Sequence, residues 1–118
     1  MTCRSKTHNK YGARKATVDG ETFDSLKEAK RYQELRLLEK AGAILNLKRQ
    51  VPYELLPAQH IGNTKERAVH YVADFVYTQN GENVVEDVKG YKHGTAYALF
   101  AIKRKLMLSV YGIHVKEV

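Results

Sequence analysis

The most informative pattern of apolar and polar positions covers residues 71–90, YVADFVYTQNGENVVEDVKG, where two strand-like apolar runs flank a polar turn. The pattern predicts two β-strands joined at Asn80-Gly81, because a type I′ hairpin turn needs positive φ at both central residues. With those two residues as the loop, Asp74 falls opposite Asp87 and Val72 opposite Lys89. Strands are predicted over 50–56, 68–77 and 83–89, with Pro52 and Pro57 marking the first as an edge strand or an abrupt one. Residues 61–66 read as a polar loop, and a small hairpin is predicted over 16–18 and 21–23 around Asp19-Gly20. A helix over 25–41 opens on Ser25 as N-cap with Glu28 in the capping-box position, and Gly42 stops it. Its apolar residues (Leu26, Ala29, Tyr32, Leu35, Leu37, Leu38) spread widely around the axis, which predicts contact on several sides. A second helix is predicted from Thr95, its N-cap, to Val110 or Tyr111, with Leu99, Ile102, Leu106 and Val110 as its buried stripe and Gly112 as its stop. A short strand over 113–118 ends the chain.

The resulting order is helix, three strands, helix, strand: an α/β fold with a mixed central sheet flanked by helices. A length of 118 residues suits one domain. Residues 1–14 carry Arg4, Lys6, Lys10 and Arg14 with few apolar neighbours and read as a flexible basic arm; 15–118 form the domain. The arm is a solvated tail or a phosphate-contacting extension. Composition changes the picture mainly through charge, a net +7 with pI near 9.5. A small domain so basic points to nucleic acid or an anionic membrane surface. No apolar run approaches the roughly 20 residues of a membrane span, and no signal peptide opens the chain. One cysteine, Cys3, excludes a disulfide scaffold or a multi-cysteine zinc site and fits a reducing, cytoplasmic setting.

The facing pair Asp74 and Asp87 calls for an explanation, since like charges directly opposite in a sheet are destabilising. A bound divalent cation is the simplest one. Strand alternation places Lys89 on the same face as Asp87. Each residue also has a plainer reading: the two acids as solvent-facing residues of a hairpin in another register, and Lys89 as a charge guarding a sheet edge. Glu86 points to the opposite face and reads as structural or solvent-facing. The five histidines have no zinc-ligand spacing.

An Asp on one strand and Asp-x-Lys on the next, after a helix bearing a Glu, resembles the PD-(D/E)XK nuclease superfamily. The matching residues are Asp74 in VADF, Asp87-Val88-Lys89 in EDVKG and Glu28 in SLKEAKRYQEL. Over nearly the whole chain, through KYGARK and DGETFDSLKEAKRYQEL as well, the sequence resembles small phage and prophage proteins of that superfamily. One departure is Ala73, which stands where the motif has Pro. The resemblance implies a restriction-endonuclease-like core and a metal-dependent DNA endonuclease, with branched DNA in phage recombination as a setting. It implies Mg²⁺ or Mn²⁺ held by Asp74, Asp87, Glu28 and the carbonyl of Val88, with Lys89 beside the attacking water. Hard carboxylate oxygens suit these ions. The capping box also explains a Glu at position 28, and Glu34, the other acidic candidate on that helix, falls on a different face, which favours Glu28 for the site. Lys92, His93, Lys103, Arg104 and Lys105 would line the approach to DNA, or simply be solvated charge. Cutting both strands of DNA needs two sites, which predicts a homodimer. The competing functions are a non-catalytic DNA-binding module, against which the intact Asp, Asp and Lys argue, and an RNA nuclease or RNA-binding protein.

Overall fold

A computed structural model describes residues 15–90 and 92–118; the basic arm over 1–14 lies outside the described residues. The elements are β1 (Ala16–Val18), β2 (Glu21–Phe23), α1 (Leu26–Lys40), β3 (Leu45–Leu56), β4 (Gln59–Ile61), β5 (Thr64–Glu66), β6 (Val69–Gln79), β7 (Glu82–Asp87), α2 (Gly94–Tyr111) and β8 (Lys116–Glu117). The main sheet has the order β3-β6-β7-β8, antiparallel except for the parallel β7–β8 pair. It is therefore a mixed sheet, and β3, which contains Pro52 and ends just before Pro57, lies at an edge, as expected. The succession helix, three strands, helix, strand is present, with the short hairpins β1–β2 and β4–β5 added.

The β6–β7 hairpin turns at Asn80 and Gly81, whose φ values of 53° and 78° meet the requirement of a type I′ turn. Its ladder runs from Gln79–Glu82 to Phe75–Glu86. The next step in that register is Asp74 with Asp87.

The helices cover opposite faces of the sheet. α1 packs Ala29, Tyr32 and Leu35 with Phe23, Ile44, Phe75 and Tyr77. α2 packs Phe100 and Met107 with Leu55, Tyr71, Ala73, Val76, Val85 and Val115. Adjacent residues of β7 serve the two cores, Val84 toward α1 and Val85 toward α2, as strand alternation requires.

Several expectations are corrected. α1 is contacted along one side, and Leu26 and Leu37 are exposed. The buried residues of α2 are Phe100 and Met107, with Tyr97 partly buried beside them; Leu99, Ile102 and Val110 of the predicted stripe are exposed, and of that stripe only Leu106 is partly buried. Ring packing decides this, since Phe100 meets Tyr71 at 6.2 Å and Tyr97 at 5.7 Å between centroids. The N-cap of α2 is His93, not Thr95, and its side chain makes no capping hydrogen bond. β3 begins five residues before its predicted start at residue 50. The predicted loop over 61–66 lies within the β4–β5 ribbon, every residue of which is exposed. β8 is two residues long, although Val118 N–H still donates to Asp87 O and Lys89 N–H to Val118 O. Among the described residues no helix is long and apolar enough to cross a membrane.

Candidate metal centre and nucleic-acid cleft

The N-terminal turn of α1, the ends of β6 and β7 and the first turns of α2 enclose an open cleft of about 1130 Å³. Glu28, Asp74, Asp87, Val88 and Lys89 all line it. Three elements and the segment after β7 therefore bring together every residue expected to act at the centre.

Each is held by identifiable contacts. Ser25 caps α1 by accepting from the Glu28 N–H at 3.1 Å. The Glu28 carboxylate turns away from the cap into the cleft, where it accepts from Gln50 Nε2 at 3.3 Å and lies 3.5 Å from Arg49 Nη2. Only half of a capping box is built, and the acid half is left for other work. Asp74 Oδ2 accepts from the Val88 N–H at 2.9 Å and Oδ1 from Gln50 Nε2 at 3.3 Å. Asp87 is 4% exposed; its Oδ1 accepts from the Tyr71 hydroxyl at 2.9 Å. Asp87 Oδ2 is fully buried and 2.7 Å from Lys89 Nζ, yet receives no well-directed hydrogen bond. The short distance makes this a charge contact, and a lone pair of Oδ2 remains uncommitted. The Lys89 ammonium also sits over the Phe100 ring, 4.0 Å from its centroid.

The electrostatics carry the mark of crowded acids. Burial, then the charge of Asp74, push the Glu28 carboxyl up to about 7 against the pull of Arg49. Burial and the charge of Asp87 raise Asp74, with Val88 N–H and Gln50 opposing. Burial, then Asp87, raise the Tyr71 hydroxyl, which keeps it a donor. Among the described residues no three His, Cys, Asp or Glu side chains form a group that would hold a metal unaided. Mg²⁺ does not require one, since it keeps several waters and takes one or two carboxylates plus substrate phosphate.

A pH prediction follows from Glu28. A folded-state carboxyl near 7 against an ordinary 4.5 means that the folded protein holds the proton more tightly. Without metal, stability should fall as pH rises from about 4.5 through 7, by on the order of 3 kcal/mol from this group. Urea midpoints in chelator at pH 5 and pH 8 should differ clearly less for Glu28→Gln than for wild type. Equal pH slopes would mean that Glu28 is not the crowded acid.

The expected DNA-contacting residues divide. Lys103 lines the cleft. Lys92 and Arg104 are both drawn to Glu117, Lys92 at 3.7 Å and Arg104 in closer contact. His93 and Lys105 are exposed and do not line the cleft. Lys27, not singled out from the sequence, lines it and donates to the Lys89 carbonyl. Gln50 and Tyr71 were missed as well, because neither residue type nor spacing marks them. Glu86 is fully buried and paired with Arg31, on the α1 side of the sheet.

The chain belongs to the family described as "Protein of unknown function (DUF1064)", whose model matches residues 8–116. No curated protein and no solved structure matches it.

Proposed function

We propose that this protein is a metal-dependent DNA endonuclease of the PD-(D/E)XK type, its four-stranded sheet and two helices forming a restriction-endonuclease-like core. The observation that carries the reading is the convergence of Glu28, Asp74, Asp87 and Lys89 on one cleft. The donors fit Mg²⁺ or Mn²⁺: they are hard oxygens, and Asp87 Oδ2 is buried without a directed hydrogen bond. Asp74, Asp87, Glu28 and the Val88 carbonyl would hold the ion, which when bound polarises the phosphoryl group and acidifies water.

The protein's own groups supply orientation and charge. Tyr71 fixes Asp87 through Oδ1 and leaves Oδ2 toward Lys89. The Val88 N–H fixes Asp74 at the end of β6. Lys89, held between Asp87 and the Phe100 ring, is placed to orient the attacking water and to donate to a non-bridging phosphate oxygen. In hydrolysis the water oxygen bonds to phosphorus as the bond to the leaving oxygen breaks. Lys27 and Lys103 on the cleft walls meet flanking phosphates, in keeping with the net +7. A homodimer would supply the second site for two-strand cleavage. A non-catalytic DNA-binding module would gain nothing from crowding buried acids, which costs stability.

The test is incubation of supercoiled plasmid, a branched DNA and an RNA with the protein in Mg²⁺, Mn²⁺ or chelator. Cleavage of DNA only with metal is expected; no cleavage of any DNA in either metal overturns the proposal. Cleavage of RNA alone would move it to an RNA nuclease. DNA binding should weaken with salt, log K falling by roughly 0.9 per log unit for each neutralised phosphate on duplex. Salt-independent binding in a gel-shift or anisotropy titration would argue for another partner.

A further inference from the structure

Gln50 lies inside β3 with φ of 52°, a backbone conformation that a long-chain residue seldom takes. No residue is inserted there, because Arg49 still pairs with Phe75 and Val51 with Ala73; the ladder only omits the step between them. At that step both strands exchange faces. Leu47 packs with the α1 core and Arg49 stacks on Phe23 of that core, whereas Val51, Tyr53 and Leu55 pack with the α2 core. Across the ladder, Tyr71 and Ala73 belong to the α2 core, and Phe75 and Tyr77 to the α1 core. Odd-numbered positions thus change sides at Gln50 and Asp74.

Glycine or asparagine would satisfy that backbone more easily. A hinge alone therefore leaves the glutamine side chain unexplained. Its amide NH₂ donates to Glu28 Oε2 at 3.3 Å and to Asp74 Oδ1 at 3.3 Å, so that one group with two N–H bonds joins two acids from different elements. Without it, the two carboxylates would repel each other apart.

We propose that Gln50 is a positioning residue that gathers Glu28 and Asp74 onto one divalent cation, its left-handed backbone being what aims the amide between them. The inference rests on the metal-centre reading above. Gln50→Gly keeps the backbone conformation and deletes the whole side chain with its amide, and Gln50→Asn keeps the backbone and an amide but shortens the reach. Mn²⁺ binding by calorimetry, beside urea stability in chelator, separates positioning from folding. Both variants should bind Mn²⁺ about 10- to 100-fold more weakly, the range for lost supporting contacts at metal sites. Metal-free stability should be little changed for Gln50→Gly, the relieved backbone offsetting the two lost hydrogen bonds, so that the drop in Mn²⁺ affinity is the readout a merely structural glutamine would not move. Wild-type Mn²⁺ affinity in a folded Gln50→Gly overturns the inference and leaves the metal centre standing. If that variant does not fold, Gln50→Asn carries the test with the same two outcomes. A wild-type protein that binds no Mn²⁺ overturns both readings.

Discussion

Asp87→Asn should give a folded protein that binds DNA and does not cut it. Asparagine keeps the shape and an oxygen for the Tyr71 hydroxyl, so the 2.9 Å contact that orients the side chain survives. What disappears is the negative charge at Oδ2, the buried oxygen with a lone pair to spare. Metal sites supply several kcal/mol of transition-state stabilisation, and each 1.4 kcal/mol is tenfold in rate, so nicking should drop at least about a thousandfold. DNA affinity should hold or rise, since a charge repelling phosphate is gone. Lys89→Ala should cost comparable activity by a different route. It leaves Asp87 without its partner at 2.7 Å, so the metal-free protein should lose stability while Mn²⁺ affinity is kept. Nicking rates beside Mn²⁺ calorimetry distinguish the two variants. An Asp87→Asn protein that cuts at the wild-type rate would remove Asp87 from the centre.

The parts of this centre that were legible before the structure are those set by short-range rules. Asn80-Gly81 specifies its own turn, and the turn specifies which residues face each other; hence the Phe75–Glu86 ladder with Asp74 and Asp87 at its open end. Strand alternation did the rest for Lys89. Glu28 was ambiguous because Ser25 and Glu28 carry a capping signal whichever way the carboxylate points; Gln50 and Arg49, distant in sequence, decide it. Gln50 was illegible for the same reason twice over, since both its backbone and its partners depend on tertiary packing. Tyr71 reads as one more core aromatic, and only the fold shows its hydroxyl on Asp87. On α2, Leu99, Ile102, Leu106 and Val110 make as good a periodic stripe as the one that packs. Periodicity does not rank stripes by fit, and the ring contacts of Phe100 did. The β4–β5 ribbon buries nothing, so it left no hydrophobic alternation to read.

Arg31→Ala should be strongly destabilising on the α1 side. Glu86, fully buried beside Asp87 in sequence, accepts from Arg31 Nε at 2.9 Å and Nη2 at 2.7 Å, and from the Tyr77 hydroxyl. This fork ties β7 to α1 and so sets the two elements that carry Asp87 and Glu28. Removing one partner of a buried pair leaves an uncompensated charge and costs about 3–5 kcal/mol, a large part of the roughly 5–15 kcal/mol that holds a domain together. Burial by itself would raise the Glu86 carboxyl, but Arg31 and then Tyr77 outweigh it and hold it below the ordinary value. The wild-type contribution is therefore present above the unfolded pKa of about 4.5 and lost as pH falls through the lower folded one. In Arg31→Ala the carboxyl is left to its burial and moves up, so the deficit should be large at pH 8 and shrink in acid, where Glu86 is protonated. Adding Glu86→Gln to Arg31→Ala should restore much of the loss, because the buried charge goes with it. Urea midpoints of the wild type, Arg31→Ala, Glu86→Gln and the double variant at pH 4 and 8 make the comparison. A loss below about 1 kcal/mol at pH 8 would put this pair among surface ion pairs, and the anchoring of β7 to α1 would then fall to the Tyr77 hydroxyl and the Phe75 and Tyr77 rings instead.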